Sequence, residues 1–346
     1  MKRNDFSRLR TTLLLQGKPD RVPLIELYVD NQVKSAFLNR PIQSLRDEVE
    51  FWILAGYDYV PVSLGLIEVG GVLSGDATKR KRSRYSIYSE EPIEMKWAAE
   101  GKGVITTEEE FERFQWPTGD SAGLTCAQQL ANLLPPEMGV IAIAGKVFTA
   151  VWMLMGFETF ALATMEQPAL VERIFNRAGN LQYQALERAL SLPHVTAAWM
   201  SDDIAYGGGL MVSPAILRKH MFPWYKKMGR LCQQRDIPFL YHSDGDLTEV
   251  ISDIADVGFN ALHPIEPKAM DIRALKRRVE GKLCLLGNIE VDRLARGTPD
   301  EIRQLAHANI RDLAYDGGYC LGSSNSVTYY VPLENYRAMI ETVFEP

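Results

Sequence analysis

Short apolar or β-branched runs recur along the chain, and segments of helical periodicity separate them. "VPLIELYV" from Val22, "YDYVPVS" from Tyr57, "GVIAIAGKV" from Gly139 and "VTAAWMSDDIA" from Val195 open the series. "IPFLYHSDG" from Ile237, "FNALHPIEP" from Phe259, "KLCLLGNIE" from Lys282 and "GGYCLGSSNS" from Gly317 complete it. Near-continuous apolar runs of this length, bounded by turn residues, predict strands buried on both faces. Two of the intervening segments carry helix-start signals. "PALVERIFNRAGNLQYQALERALS" from Pro168 has proline in the first turn, and "SPAILRKHMFPWYKKMGRLCQQR" from Ser213 opens on a Ser-Pro cap. Strands alternating with helices predict a closed α/β (β/α)8 barrel, the TIM-barrel fold, whose usual length of about 250 residues leaves room for an insertion. We place a hairpin and helical insertion at 65–137, where glycine-rich, basic and "TTEEEFERF" stretches break the rhythm, within one barrel domain spanning 1–346. An open doubly wound sheet fits less well, because no strand runs into a G-x-G-x-x-G turn.

A barrel of this kind carries its chemistry on the loops that follow the strands. Here those loops are polar although the strand bodies are apolar. They offer Glu26, Tyr28 and Asp30; Lys146; Ser201, Asp202 and Asp203; His242, Asp244 and Asp246; His263 and Glu266; Asn288 and Glu290; Ser323, Ser324 and Asn325. A helix cap explains any single Asp, Ser or Asn among them equally well. His242 and Asp244 alternate in extended chain, so both point the same way and can converge on one ion or one substrate atom. Asp202 and Asp203 are adjacent, so one of the two faces the barrel mouth; paired acids there also suit a general acid. Lys146 balances their charge or meets an anionic group. Tyr28, Phe148, Trp152, Phe157, Tyr206 and Tyr329 are candidate pocket walls, Trp152 and Tyr206 foremost, although aromatics at such spacings more often pack a core.

Composition narrows the function classes. A net charge of -6 and a pI near 5.6 argue against a nucleic-acid surface. The apolar runs stop short of the ~18 residues of a membrane span, and no secretory signal pattern opens the chain, so a cytoplasmic location is expected. Cys126, Cys232, Cys284 and Cys320 have no disulfide-framework or zinc-like spacing, which predicts free thiols. The basic run "KRKRSR", Lys79 to Arg84, reads as a solvated hairpin, with an acidic partner's docking surface as the alternative.

The spellings "GKPDRVP", "GKVFTAVWMLMGFETF", "SDDIAYGGGLMVSPAILRKHMFPWYKKM", "YHSDGDL", "LLGNIEVDRLARGTPDEI" and "GGYCLGSSNSVTYYVPLENYRAMIE" resemble the uroporphyrinogen decarboxylase superfamily. That superfamily holds the decarboxylase of haem synthesis and a set of cobalamin-linked methyltransferases on a (β/α)8 barrel. The resemblance covers nearly the whole chain and is weakest from 65 to 137. The decarboxylase carries an arginine-rich segment after its first strand, resembling P-x-W-x-M-R-Q-A-G-R, which handles substrate carboxylates; this chain reads "PLIELYVDNQVKSAF" there. Without that guanidinium fork, a polycarboxylate tetrapyrrole is a poor match to Glu26, Asp30, Asp202, Asp203 and Asp244. The resemblance is therefore closer to the methyltransferase branch.

That branch binds zinc through a His-x-Cys pair and a later Cys. The matching positions here are His242, Asp244 and the neighbourhood of Asn325. With the thiolates absent, activation of a thiol acceptor is not implied. A zinc held by His242 and Asp244, with Glu266 or Asp203 completing the set, suits an oxygen leaving group instead. The expected catalytic residues are Asp202, Asp203, Asp244 and Lys146, and the expected substrate contacts are Glu26, Tyr28, Trp152, Tyr206, His263, Asn288 and Asn325. The leading expectation is a methyltransferase component that passes methyl from a small methoxylated donor, aromatic or similar, to the cobalt of a corrinoid. No D-x-H-x-x-G stretch occurs, so the corrinoid is expected on a separate partner protein. A metal-free decarboxylase is the second reading and a binding protein without chemistry the third. A homodimer formed through the mouth loops is in keeping with the family.

Overall fold

The computed structural model of the protein describes residues 4–65, 79–98, 103–118 and 122–345. Its centre is a parallel sheet of seven strands: β1 (Tyr59–Ser63), β2 (Gly139–Ala144), β3 (Val195–Ser201), β4 (Phe239–His242), β5 (Ala261–His263), β6 (Cys284–Ile289) and β7 (Tyr319–Ser323). They lie side by side in chain order, each parallel to the next. Burial that is continuous along β4, β6 and β7, and broken in β2 only at Ile143, matches their apolar spelling.

The eighth place in the ring differs from a regular strand. Residues 22–29 meet β7 and the chain beyond it through two isolated parallel bridges, Leu24 to Leu321 and Val29 to Val327. Pro23 has no N–H to offer a ladder, which limits regular pairing there. On the other side the hydroxyl of Tyr59 spans the seam: it accepts the Glu26 N–H at 2.7 Å and donates to the Glu26 carbonyl at 2.6 Å. Buried backbone polar groups that a ladder does not pair need such a partner.

The helix Pro168–Ala189 starts at its proline and buries Leu170, Val171, Ile174, Phe175, Ala178, Leu181, Ala185 and Leu186 along one stripe. Gly179 lets the next helix approach, since a Cβ there would fall 2.3 Å from the Trp224 ring. The segment from Ser213 departs from the expected cap. Ser213 is extended but its side chain makes no cap hydrogen bond, and the helix proceeds as Pro214–Ile216, a wide π turn Leu217–Met221 and then Phe222–Gln234. The wide turn sits just before Pro223, which cannot donate to a regular helical ladder.

Within the expected insertion, Lys79–Ser86 and Ser89–Ala98 pair antiparallel, so the basic run does lie in a hairpin. Its turn rests on the chain after β7, where Ile87 N–H and Ser86 Oγ reach the Tyr329 carbonyl at 3.3 and 3.2 Å. Thr107 and Glu110 of "TTEEEFERF" form a capping box for Glu108–Arg113. The glycine-rich "GGVLSGD" lies outside the described residues. All four cysteines are free, and Cys232, Cys284 and Cys320 are buried. Among the described residues no single helix is long and apolar enough to cross a membrane.

Candidate functional site

β4 and β5 end on two histidines. His242 and His263 are direct partners in the parallel register, so both side chains leave the same face. Their rings meet Nδ1 to Nδ1 at 2.8 Å. The other nitrogen of His242, Nε2, lies 3.5 Å from Asp203 Oδ1 and 3.7 Å from Asp244 Oδ1. Asp244 thus turns to the same side as His242, as alternation predicts.

The turn that carries Asp244 is held on several sides. Asp244 N–H donates to Asp203 Oδ1 at 3.0 Å, and Gly245 N–H donates to Glu266 Oε2 at 2.7 Å. Asn325, from the loop after β7, donates through Nδ2 to Asp244 Oδ2 at 2.7 Å. Gly245 has a φ of +86°, and a Cβ there would fall 2.4 Å from the Tyr206 backbone nitrogen. Both facts reserve the position in "HSDGD" for glycine.

Burial and charge pull the cluster in opposite directions. Burial pushes Asp244 up to about 6, assisted by Asp203 and Glu266 and opposed by His242 and Asn325. Although half-exposed, Asp203 is partly desolvated by its surroundings, which works to raise it, but the hydrogen bond and charge of His242, the Asp244 N–H and the Lys146 charge hold it below the usual carboxylate range. Burial acts to lower His242, yet the two carboxylates overcome it and raise its pKa. His263, buried beside a charged ring, is driven well below the ordinary histidine range.

One ligand-capable atom each from Asp203, His242 and Asp244 fall within 4.8 Å of one another. Asp244 Oδ1 is buried and has no hydrogen-bond partner among the described residues. An acceptor left in that state beside an imidazole nitrogen and a second carboxylate fits a divalent cation. Two oxygens and one nitrogen, with no thiolate, suit zinc or a harder divalent ion. Of the two residues expected to complete the set, Asp203 is the one whose carboxylate joins the group; Glu266 is engaged with the Gly245 N–H and holds the turn.

The other expected site residues divide into two groups. Asp202 is 1% exposed and faces away from the cluster. Its carboxylate accepts the N–H groups of Val147, Phe148 and Thr149 at 2.9, 2.7 and 2.8 Å and the Tyr225 hydroxyl, so it caps the helix Phe148–Met155. Glu26 is fully buried, with Ser323 N–H and Oγ on its two carboxyl oxygens at 2.7 Å each. Asn288 bonds the Ile265 carbonyl and Asn309, and Asp30 caps Asn31–Leu38. These four serve the scaffold. Closer to the cluster, Lys146 adds its charge to Asp203 and His242, and Tyr206 stands 61% exposed on the small hairpin packed against Gly245. Tyr28 is half-exposed beneath the Lys34 ammonium, and Trp152 packs edge-on against Phe157 with its indole N–H unpaired among the described residues.

Sequence reasoning did not find the histidine pair or the part of Tyr59. The signal for the pair was present, since both histidines end strands that are neighbours in any singly wound barrel. A cavity of about 430 Å³ lies elsewhere, under the N-terminal ends of β4 and β5 beside Ile237, Phe239, Phe259 and Asn260. That face of a barrel serves stability rather than catalysis.

The family model described as uroporphyrinogen decarboxylase (URO-D) matches residues 102–345. Among solved structures, a methyltransferase from Methanosarcina mazei superposes with a TM-score of 0.68 over 98% of this chain and 97% of its own, at 17% sequence identity. At that identity the match speaks for a shared fold. No curated protein matches the sequence significantly.

Proposed function

Since this chain belongs to the uroporphyrinogen decarboxylase family, we propose that it is a methyltransferase component acting at the Asp203–His242–Asp244 cluster. On this reading it moves a methyl group from a small methoxylated donor to the cobalt of a corrinoid carried by a separate protein. The observation that carries the reading is the convergence of those three side chains, without a thiolate, after strands β3 and β4. Similarity to the Methanosarcina methyltransferase supports it.

Asp203, His242 and Asp244 would hold a divalent cation such as zinc, which when bound supplies Lewis acidity toward a leaving oxygen. The rest is the work of the chain. Asn325 and the Asp203 carboxylate fix Asp244 from its side chain and its backbone N–H. Glu266 fixes the next peptide. The Asp203 side chain, 49% exposed, leaves the outer edge of the cluster open to a donor, and Lys146 moderates the negative charge there. Asp203, Asp244 and Glu266 together repel a substrate rich in carboxylates, which disfavours a tetrapyrrole.

One observation favours a second reading, a metal-free decarboxylase. With its pKa pushed up to about 6 and Oδ1 unpartnered, Asp244 can hold a proton for a carbanion-like carbon. The assay that separates the two offers a panel of methoxylated compounds and cob(I)alamin, and follows methylcobalamin by absorbance. Turnover is expected to fall by on the order of 10²-fold or more in His242→Ala and Asp244→Ala. Unchanged methyl transfer in both variants contradicts it. Carbon dioxide released from a carboxylated ring without corrinoid or metal moves the decarboxylase to first place.

A further inference from the structure

The second histidine is harder to account for than the first. His263 is fully buried, its ring stands edge-on to Trp199 at 5.1 Å and 88°, and its Nε2 has no hydrogen-bond partner among the described residues. A buried polar nitrogen without a partner carries a desolvation cost, so the place of this imidazole in the core needs an explanation. Contact with a substrate, the role its sequence position suggested, is not open to a ring with no exposed surface. What it does touch is His242.

Two imidazole nitrogens 2.8 Å apart share one proton, one ring donating and the other accepting. This bond governs the orientation of His242. A half-turn of the His242 ring would break it and carry Nε2 away from both carboxylates. We propose that His263 is the positioning residue for His242, holding its ring through the Nδ1–Nδ1 hydrogen bond so that Nε2 faces Asp203 and Asp244. When His242 is neutral and donates the shared proton, its Nε2 turns a lone pair toward the cluster, the form in which imidazole binds a cation. That last consequence rests on the cation reading above, whereas the orientation does not.

The test uses the full chain with His263→Leu, which removes the acceptor, and His263→Asn, whose side-chain oxygen keeps one near the place of Nδ1. Long-range proton–nitrogen spectra of the cation-free protein, labelled in its histidine rings and recorded at a pH above the titration of His242, report the tautomer of its neutral ring. One tautomer is expected in the unaltered protein and in His263→Asn, and averaging between two in His263→Leu. Co²⁺ titration, read by visible absorption, should show affinity about 10–100-fold weaker in His263→Leu and largely retained in His263→Asn. A single unchanged tautomer in His263→Leu overturns the proposal whatever its Co²⁺ affinity. If circular dichroism shows that His263→Leu does not fold, His263→Asn decides: one tautomer supports the role and a mixture overturns it. An unaltered protein that binds no Co²⁺, yet shows one tautomer lost in His263→Leu, sinks the cation reading and leaves the positioning role standing.

Discussion

A carboxyl group sealed from water behaves unlike one at a surface, and Glu26 shows the consequence. Burial pushes it up to about 8, against the pull of two hydrogen bonds from Ser323. The folded chain therefore keeps a proton that the unfolded chain, with a glutamate pKa near 4.5, has released. Across the window between those two values stability falls as pH rises, by up to about 1.4 kcal/mol per pH unit from this group. Glu26→Gln fixes the neutral form. Urea denaturation at pH 5 and pH 8 should show the variant gaining stability over the unaltered protein at the higher pH; parallel pH profiles would count against the assignment. The sequence placed Glu26 at the mouth because it follows an apolar run. Its true surroundings come from Ser323, 297 residues away, and no local pattern encodes that.

At the scale of elements, helix ends show what local spelling can and cannot tell. Pro168–Ala189 was legible because its first-turn proline and apolar stripe lie within its own sequence. Phe148–Met155, "FTAVWMLM", carries no cap of its own, since Val147 at its N-cap makes no side-chain hydrogen bond. The acceptor arrives from the end of β3 as Asp202, whose negative charge also complements the helix dipole. Alternation predicted that only one of Asp202 and Asp203 would face the mouth; the need to cap this helix decides which. Asp202→Ala leaves three N–H groups and the Tyr225 hydroxyl without their shared acceptor. We expect a loss of about 3 kcal/mol or more in urea denaturation, with Asp202→Asn recovering part of it. A variant as stable as the unaltered protein would remove Asp202 from this role.

For the whole molecule, the barrel was legible because parallel strands covered on both faces read as unbroken apolar runs. The seam at residues 22–29 was not, because its closure depends on Pro23 and the Tyr59 hydroxyl rather than on a ladder. The site followed the same division. His242 and Asp244 were legible from alternation within one strand, whereas the choice of Asp203 over Glu266 depends on how β3, β4 and β5 come together. At the barrel mouth, Asp203, His242 and Asp244 are proposed as a cation site. Elemental analysis of the purified, tag-free chain beside His242→Ala tests it most directly. About one divalent ion per chain in the unaltered protein, lost in the variant, is the predicted result. No bound metal after growth with added zinc, or a metal retained in His242→Ala, would contradict it.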